Sequence, residues 1–298
     1  MRRTISLLGC AVVLVAFGVV VRASLPQVTT GTWQGAGTMS VERTNAASAV
    51  MYDGRILVSG GTASDGTVLA SAEIFNSDGT FIAAAPMHGA RTGHAAVWLL
   101  DGYVLVTGGT TTGGGIGNSA ERYDPLTNTW TLLPASMVEA RSGHTATQLP
   151  DGNVLLAGGE NSAGALASTE IFSLTGETFS FAANMATARK GHAAAGLPDG
   201  RVLIVGGTNA GDATLASTDI YDPSTGAILP GPSLSTPRSG ASATTLLDGT
   251  VLIAGGRYPE GVTPPSTIAE LQTAEIFDPV AATISPAASN MVYPRTGH

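Results

Sequence analysis

The chain has 298 residues, of which 14 are basic and 22 are acidic, and its formal net charge is −8. Nucleic acids and anionic membrane surfaces are disfavoured as partners, because both carry the same sign of charge as the chain. The one cysteine, Cys10, lies near the start of the sequence, so neither disulfides nor thiol chemistry is expected in the remainder.

The first 23 residues have the pattern of an export signal. Two arginines precede a largely apolar, uncharged stretch over residues 5–21, and Ala23 offers a small residue for cleavage. The stretch is at the lower length limit for spanning a bilayer, so an uncleaved N-terminal anchor is the alternative. The sequence thus predicts an exported protein, periplasmic, cell-surface or extracellular, that meets a membrane only through this segment if it is uncleaved. Residues 24–30 are interpreted as a linker.

A four-residue motif, Arg-x-Gly-His, recurs at steps of about 48 to 50 residues. Complete copies begin at Arg91, Arg141 and Arg189, degraded copies begin at Arg43 and Arg238, and a last complete copy begins at Arg295 after a longer step. A glycine pair follows each of the first five copies about 17 residues later. A fixed period near 50 residues is typical of propeller blades. The glycine pairs are Gly60–Gly61, Gly108–Gly109, Gly158–Gly159, Gly206–Gly207 and Gly255–Gly256.

Each repeat contains four short strand patterns. In the second repeat, apolar runs over residues 94–100 and 103–107 flank Asp101–Gly102. Asp-Gly between two such runs predicts a hairpin with a tight primed turn, because glycine tolerates a positive φ. A third strand carries Glu121 and Tyr123, and a fourth carries Trp130. No helical period follows the N-terminal segment. Asp-Gly recurs at Asp53–Gly54, Asp151–Gly152, Asp199–Gly200 and Asp248–Gly249.

The glycine pair, the aromatic residue after an acidic one and the later Trp or Phe follow the order of kelch repeats, which the chain resembles over roughly residues 31–298. The Arg-x-Gly-His and Leu-x-Asp-Gly-x-Val-Leu elements resemble the bacterial branch of that family, which is itself similar to the central propeller of galactose oxidase. The resemblance implies an all-β, kelch-type β-propeller of four-stranded antiparallel blades. The copper-radical site of that oxidase needs a cysteine bonded to a tyrosine. Since Cys10 lies in the predicted signal, we expect no such site, and we assign no catalytic residue, metal or cofactor.

The two ends of the repeat region look like halves of one blade. Thr32-Trp33-Gln34 resembles a fourth strand without preceding strands, and residues 295–298 open a further repeat. The sequence therefore predicts five complete repeats plus a split sixth blade, with the propeller of residues 31–298 incomplete at its C-terminus and monomeric once the ring is complete. A ring of seven or more blades and a self-sufficient ring of five are the alternatives.

The repeated charged residues are interpreted as structural. Each motif arginine is expected to pair with a third-strand acid and tie blade to blade; anion binding at the channel mouth is the alternative. The histidines are interpreted as structural rather than metal-binding, since metal bonds need far closer approach than neighbouring blades allow. The Gly-x-Gly pattern at residues 115–120 is interpreted as a loop, because a strand follows it. The framework residues assigned are Arg91, His94, Gly108, Gly109, Glu121, Arg141, His144, Gly158, Gly159 and Glu170.

Ligand binding is predicted where the repeats differ. The step from the glycine pair to the third-strand acid is 11 or 12 residues in the first four repeats and 19 in the fifth. The longer segment carries Arg257, Tyr258 and Glu260, whose types and neighbouring prolines favour an interface. A tolerated insertion without a role is the alternative. The glycine-rich segment 110–118 is a weaker candidate.

These observations favour an exported, non-catalytic binding module that recognises a protein or a glycan through propeller loops. One alternative is a kelch-type propeller enzyme acting on sugars, either an epimerase or an oxidase-like protein. Another is a scaffold or adhesin segment of a larger surface protein. The sequence shows no irregular cluster of His, Asp, Glu or Tyr, so an enzyme is the less favoured interpretation, although the fold alone does not decide.

Overall fold

The computed structural model describes residues 36–260 and 267–296 and two dipeptides near the N-terminus. In the N-terminal unit, residues 1–36, the short strands Val15–Ala16 and Val19–Val20 pair antiparallel. Apart from these, the predicted signal or anchor and the linker lie outside the described residues. Within the described part of the chain, no helix is long and apolar enough to cross a membrane.

The second unit, residues 37–298, contains five sheets of four antiparallel strands, each paired in sequence order. This arrangement confirms the all-β, four-stranded blades of the prediction. The strands are, in blade 1, Ala47–Val50, Ile56–Ser59, Ala72–Phe75 and Phe81–Ala84; in blade 2, Ala95–Trp98, Val104–Thr107, Ala120–Asp124 and Thr129–Leu132; in blade 3, Thr145–Gln148, Val154–Ala157, Thr169–Ser173 and Thr178–Phe181; in blade 4, Ala193–Gly196, Val202–Val205, Thr218–Asp222 and Ala227–Pro230; and in blade 5, Ser242–Thr245, Val251–Ala254, Ala274–Asp278 and Thr283–Pro286.

Three two-stranded ribbons lie outside these sheets in the described residues of the second unit. Arg91–Thr92 pairs with Thr110–Thr111, and Glu160–Asn161 pairs with Gly164–Ala165. The third ribbon, Arg257–Glu260 with Thr267–Glu270, is formed by the long segment of the fifth repeat. That segment is therefore a β-ribbon at its base rather than an irregular loop.

Blades pack face to face because the second strand of each blade is largely apolar on both sides. Side chains alternate along a strand, so Val104 and Val106 of blade 2 join the core shared with blade 1, whereas Leu105 joins the core shared with blade 3. Tyr123 and Trp130 form a cross-strand ring pair with centroids 5.0 Å apart. Equivalent ring pairs lie in blades 1 and 3, whereas an isoleucine faces the third-strand ring in blades 4 and 5.

The prediction of primed two-residue turns is wrong. In the first hairpin the Gly54 N–H donates to the Met51 carbonyl over 3.0 Å, and the Met51 N–H donates to the Arg55 carbonyl over 2.8 Å. Only the glycine of each Asp-Gly has a positive φ, whereas a primed turn of type I′ needs two such residues. Each hairpin is thus a three-residue loop. Its aspartate accepts the N–H two residues later, as Asp53 does from Arg55, and so favours this wider loop.

The strand ends define two faces. The turn face carries the Asp-Gly turns and the turns between third and fourth strands. The motif face carries the Arg-x-Gly-His motifs, the glycine pairs and the connections between blades. Arg295 occupies a motif position, because its carbonyl accepts the Gly256 N–H over 2.7 Å. The split sixth blade stays a prediction, since residues 31–35 and 297–298 lie outside the described residues.

Candidate functional site

The motif arginines are buried structural cations. Arg141 donates to the carbonyl oxygens of Gly158 and Ser168 over 2.7 and 3.2 Å, and to Oε1 of Glu170 over 2.7 Å. Glu170 also accepts the N–H groups of Val138 and Glu139, which lie in the connection from blade 2. The same arginine–acid ion pair recurs in blades 1, 2, 4 and 5.

The arginine backbone links neighbouring blades. The Arg141 carbonyl accepts the Gly109 N–H of blade 2 over 2.9 Å, while its side chain enters blade 3. Gly108 must be glycine here: it has φ +64°, and a Cβ atom would lie 2.3 Å from the Arg141 carbonyl oxygen. The guanidinium groups are therefore engaged below the surface, which is consistent with the structural interpretation and not with anion binding at the mouth.

The motif histidines are neutral inter-blade contacts. Nε2 of His94 lies 3.0 Å from the Ser59 hydroxyl, and Nε2 of His144 lies 2.8 Å from the Thr107 hydroxyl, each in the preceding blade. Burial, with a smaller contribution from Arg91, lowers the pKa of His94 to about 3. Burial likewise lowers the pKa of His192 to about 3 and that of His144 well below its ordinary value. No group of three or more His, Cys, Asp or Glu in the described residues could hold a metal ion.

The residues at the third position of each Arg-x-Gly-His motif form a chain of backbone hydrogen bonds around the axis. Gly93 donates to the Asn45 carbonyl over 3.0 Å, Gly143 to Gly93 over 2.7 Å, Gly191 to Gly143 over 3.1 Å and Gly240 to Gly191 over 2.8 Å. Asn45 substitutes for glycine with a left-handed φ of 52°. These residues border a central depression of about 700 Å³ on the motif face.

Charged side chains that depart from the repeat line this depression. They are Glu160, Lys190, Asp212 and Arg257. Nζ of Lys190 lies 2.8 Å from Oε2 of Glu160 and 3.6 Å from Oδ1 of Asp212. The hydrogen bond that Lys190 donates to the Glu160 carboxylate raises the pKa of Lys190, so the ammonium stays charged. The depression thus presents both signs of charge on a backbone framework of glycines.

The three predicted ligand residues, Arg257, Tyr258 and Glu260, differ in where they lie relative to the depression. Arg257 lines the depression, and its Nε lies 3.3 Å from the Thr296 hydroxyl. Tyr258 is 37% exposed on the same ribbon. Glu260 lies at the end of that strand, and its side chain is outside the described part of the structure. The weaker candidate, residues 110–118, is a compact turn in which Gly114 donates to Thr111.

The sequence interpretation missed Glu160, Lys190 and Asp212, which line the depression beside Arg257. Their side chains come from two neighbouring blades, so their proximity depends on the ring. A sequence signal exists nevertheless. The residue after the glycine pair is Thr62, Thr110, Glu160, Thr208 and Arg257 in turn. It is charged in only two repeats, and the second motif residue is charged only at Lys190.

Repeat order, blade structure and the inter-blade motif together define a kelch-repeat β-propeller. Residues 90–137 match the family model of the Kelch motif. Among solved structures, the chain is similar to that of a protein called YjhT, with 16% identity, 86% of each chain covered and a TM-score of 0.73. At this identity the likeness shows a shared fold. A search among curated proteins finds no significant match.

Proposed function

We propose that the chain is an exported, non-catalytic binding module that holds a protein or a glycan in the central depression of the motif face. The observation that carries the proposal is the convergence of Glu160, Lys190, Asp212 and Arg257 on a depression whose border is otherwise repetitive. Repeated residues serve the framework common to all blades, so side chains that break the repeat are the natural carriers of specificity.

The chemistry of the depression suits a polar ligand. Lys190 and Arg257 are donors, whereas Glu160 and Asp212 accept, so the site can match sugar hydroxyls or the polar groups of a protein loop. The bordering glycines are held by hydrogen bonds between blades, and a preformed site loses less conformational entropy on binding. Its volume of about 700 Å³ is within the usual range for ligand sites.

A binding role rather than catalysis is supported by the state of the nearby titratable groups. The motif histidines are buried, neutral and hydrogen-bonded to hydroxyl groups of the preceding blade. Lys190 is held between two carboxylates and stays protonated, which makes it a poor base. Export is proposed from the signal pattern of residues 1–23.

The test begins with a glycan array and a displayed-peptide library, which identify a ligand for the purified chain. Lys190→Ala and Arg257→Ala are then expected to weaken its dissociation constant by about tenfold or more, because each removes a charged hydrogen-bond donor. Isothermal titration calorimetry measures the change. Thr62→Ala, at the position of blade 1 equivalent to Arg257, is the matched control and should leave affinity unchanged.

Unchanged affinity in both folded charge variants would exclude the depression as the binding site. Shortening residues 257–272 to the length of the first repeat's segment separates the two parts of the proposal. If this shortened variant loses binding while Lys190→Ala and Arg257→Ala keep it, the ribbon rather than the depression is the binding site.

A further inference from the structure

The turn face carries an apolar residue at the same exposed position in all five blades. This position directly precedes Asp-Gly and is the first corner of each hairpin loop. Its occupants are Tyr52, Leu100, Pro150, Pro198 and Leu247, here called the apolar belt. Tyr52 is 92% exposed and Leu247 is fully exposed. Proline favours such a corner for its fixed φ, but that reason does not extend to the tyrosine and the leucines.

The belt is continuous from blade 2 to blade 5. A Cβ atom on Gly152 would lie 3.1 Å from Cδ1 of Leu100, which shows that Leu100 reaches the Asp-Gly turn of blade 3. Pro150 approaches Gly200 in the same way, within 2.7 Å of such an atom, and Pro198 approaches Gly249. Apolar groups thus bridge neighbouring turns around this side of the molecule.

Depressions open between these turns. One of about 560 Å³ between blades 1 and 2 is lined by Tyr52, Trp98, Leu100 and Leu126, and Leu126 is 93% exposed. Two more, of about 530 and 500 Å³, lie between blades 3 and 4 and between blades 4 and 5. Each can receive an aliphatic or aromatic side chain, and contiguous exposed apolar surface of this kind marks interaction sites.

Carboxylates surround the belt. The cations of this face, Arg55, Arg122 and Arg201, are each engaged by a neighbouring acid. A hydroxyl hydrogen bond from Thr80 lowers the pKa of Asp78, and one from Thr250 lowers that of Asp248, so both stay ionised in mildly acidic solution. The acids are Asp53, Asp78, Asp101, Asp124, Asp151, Glu177, Asp199, Asp222, Asp248 and Asp278.

We infer that the turn face docks a basic partner protein through a segment in which aliphatic or aromatic side chains alternate with lysine or arginine. Apolar anchors enter the depressions between turns and supply affinity, while the surrounding carboxylates steer the partner and set its register. A second copy of this chain would bring like charges together on the same face. Nucleic acid and anionic lipid are disfavoured for the same electrostatic reason.

The probe is a short fluorescent peptide of alternating leucine and lysine, titrated with the full chain and followed by fluorescence anisotropy. Saturable binding that weakens at high salt is expected. Matched peptides with glutamate in place of lysine, or serine in place of leucine, should bind at least about tenfold more weakly. Equal binding of the leucine–glutamate peptide, or no binding of the leucine–lysine peptide, would overturn the inference.

Variants then locate the peptide. Leu100→Ser combined with Leu126→Ser is expected to weaken binding about tenfold, and Asp248→Asn with Asp278→Asn should weaken it while keeping an oxygen for the turn hydrogen bonds. Leu229→Ser is the control, because Leu229 is 62% exposed on the fourth strand of blade 4, away from the turns. Thermal unfolding checks that each variant folds.

Unchanged affinity in the folded Leu100/Leu126 variant would place the peptide elsewhere. Lys190→Ala should not affect this binding, which keeps the test independent of the depression on the motif face. Tighter binding to phosphatidylglycerol vesicles than to the peptide would contradict the assignment of a basic protein partner.

Discussion

The interface between blades 4 and 5 differs from the three before it. At those three, His94, His144 and His192 each reach a hydroxyl group of the preceding blade. At the fourth the histidine is replaced by Ala241, yet Arg238 keeps its carbonyl and carboxylate contacts. The arginine, the acid and the glycine pair therefore build the interface, and the histidine is an addition to it.

The hydroxyl partner explains where the histidine occurs. It comes from one of two residues that pair across the first and second strands: Ser59 and Thr107 in blades 1 and 2, and Thr145 in blade 3. In blade 4 the corresponding pair is Ala193 and Val205, which offers no hydroxyl. A buried imidazole without a partner is unfavourable, so alanine follows in blade 5.

The largest loss of stability is expected from removing the buried arginine–acid ion pair that all the interfaces share. Arg141→Ala should lower the free energy of unfolding by about 3–5 kcal/mol, because it leaves the buried Glu170 carboxylate uncompensated. Arg238→Ala should cost a similar amount despite the missing histidine. Urea denaturation measures both. Arg201→Ala removes a partly exposed ion pair with Asp199 and should cost no more than about 1 kcal/mol. Equal costs for Arg141→Ala and Arg201→Ala would refute the ranking.

A smaller effect should follow from adding the missing histidine. Ala241→His is expected to destabilise the protein by about 1–3 kcal/mol, since the new imidazole meets no hydroxyl in blade 4. Ala193→Thr should restore part of that loss in the double variant, as Thr145 serves His192. A double-mutant cycle gives the coupling between the two positions. Additive losses would contradict the pairing rule.

The smallest effect at neutral pH is expected for His94→Ala, at about 1 kcal/mol, because Ala46 and Ala241 occupy the equivalent position in other blades. The folded pKa of about 3 lies below the ordinary 6.5, so the unfolded chain binds the extra proton between these values. The stability from neutral His94 is thus complete above pH 6.5 and falls toward pH 3 by up to about 1.4 kcal/mol per pH unit.

Unfolding curves across that pH range measure the change. His94→Ala should show a shallower loss of stability on acidification than the parent chain. The two curves should cross below pH 6.5, because a loss of up to about 1.4 kcal/mol per pH unit soon exceeds the neutral-pH difference of about 1 kcal/mol, and the variant should be the more stable protein near pH 3. Parallel curves would show that His94 is already charged in the folded protein.

The sequence predicted the repeat framework because the same local pattern of residues occurs in all five repeats. Glycines with obligatory positive φ, an acid before an aromatic residue, and apolar runs on either side of Asp-Gly are signals that do not need neighbouring blades. The turn type was misjudged for a local reason. An aspartate that accepts the N–H two residues later competes with the primed turn, and Asp-Gly alone does not reveal which wins.

The candidate site was only partly predictable. Arg257 stood out because its segment is longer than the others, but Glu160 and Lys190 lie in repeats of ordinary length. Their ion pair joins blade 3 to blade 4, and Asp212 approaches from a third segment. Comparison of equivalent positions could have identified the charges as exceptions. Their convergence required the curvature of the ring, which is a property of packing between blades.

The hydrogen bonds between Asn45 and Gly240 run head to tail, and Gly93, Gly143 and Gly191 each donate to the preceding motif and accept from the next. Each of these three repeats therefore contributes one donor and one acceptor at the axis. Duplication or deletion of a whole repeat leaves that balance unchanged, whereas insertion of a single residue between two motifs would misalign it. Recombination between repeats is thus a less disruptive route to variation at the centre of this fold than small insertions are.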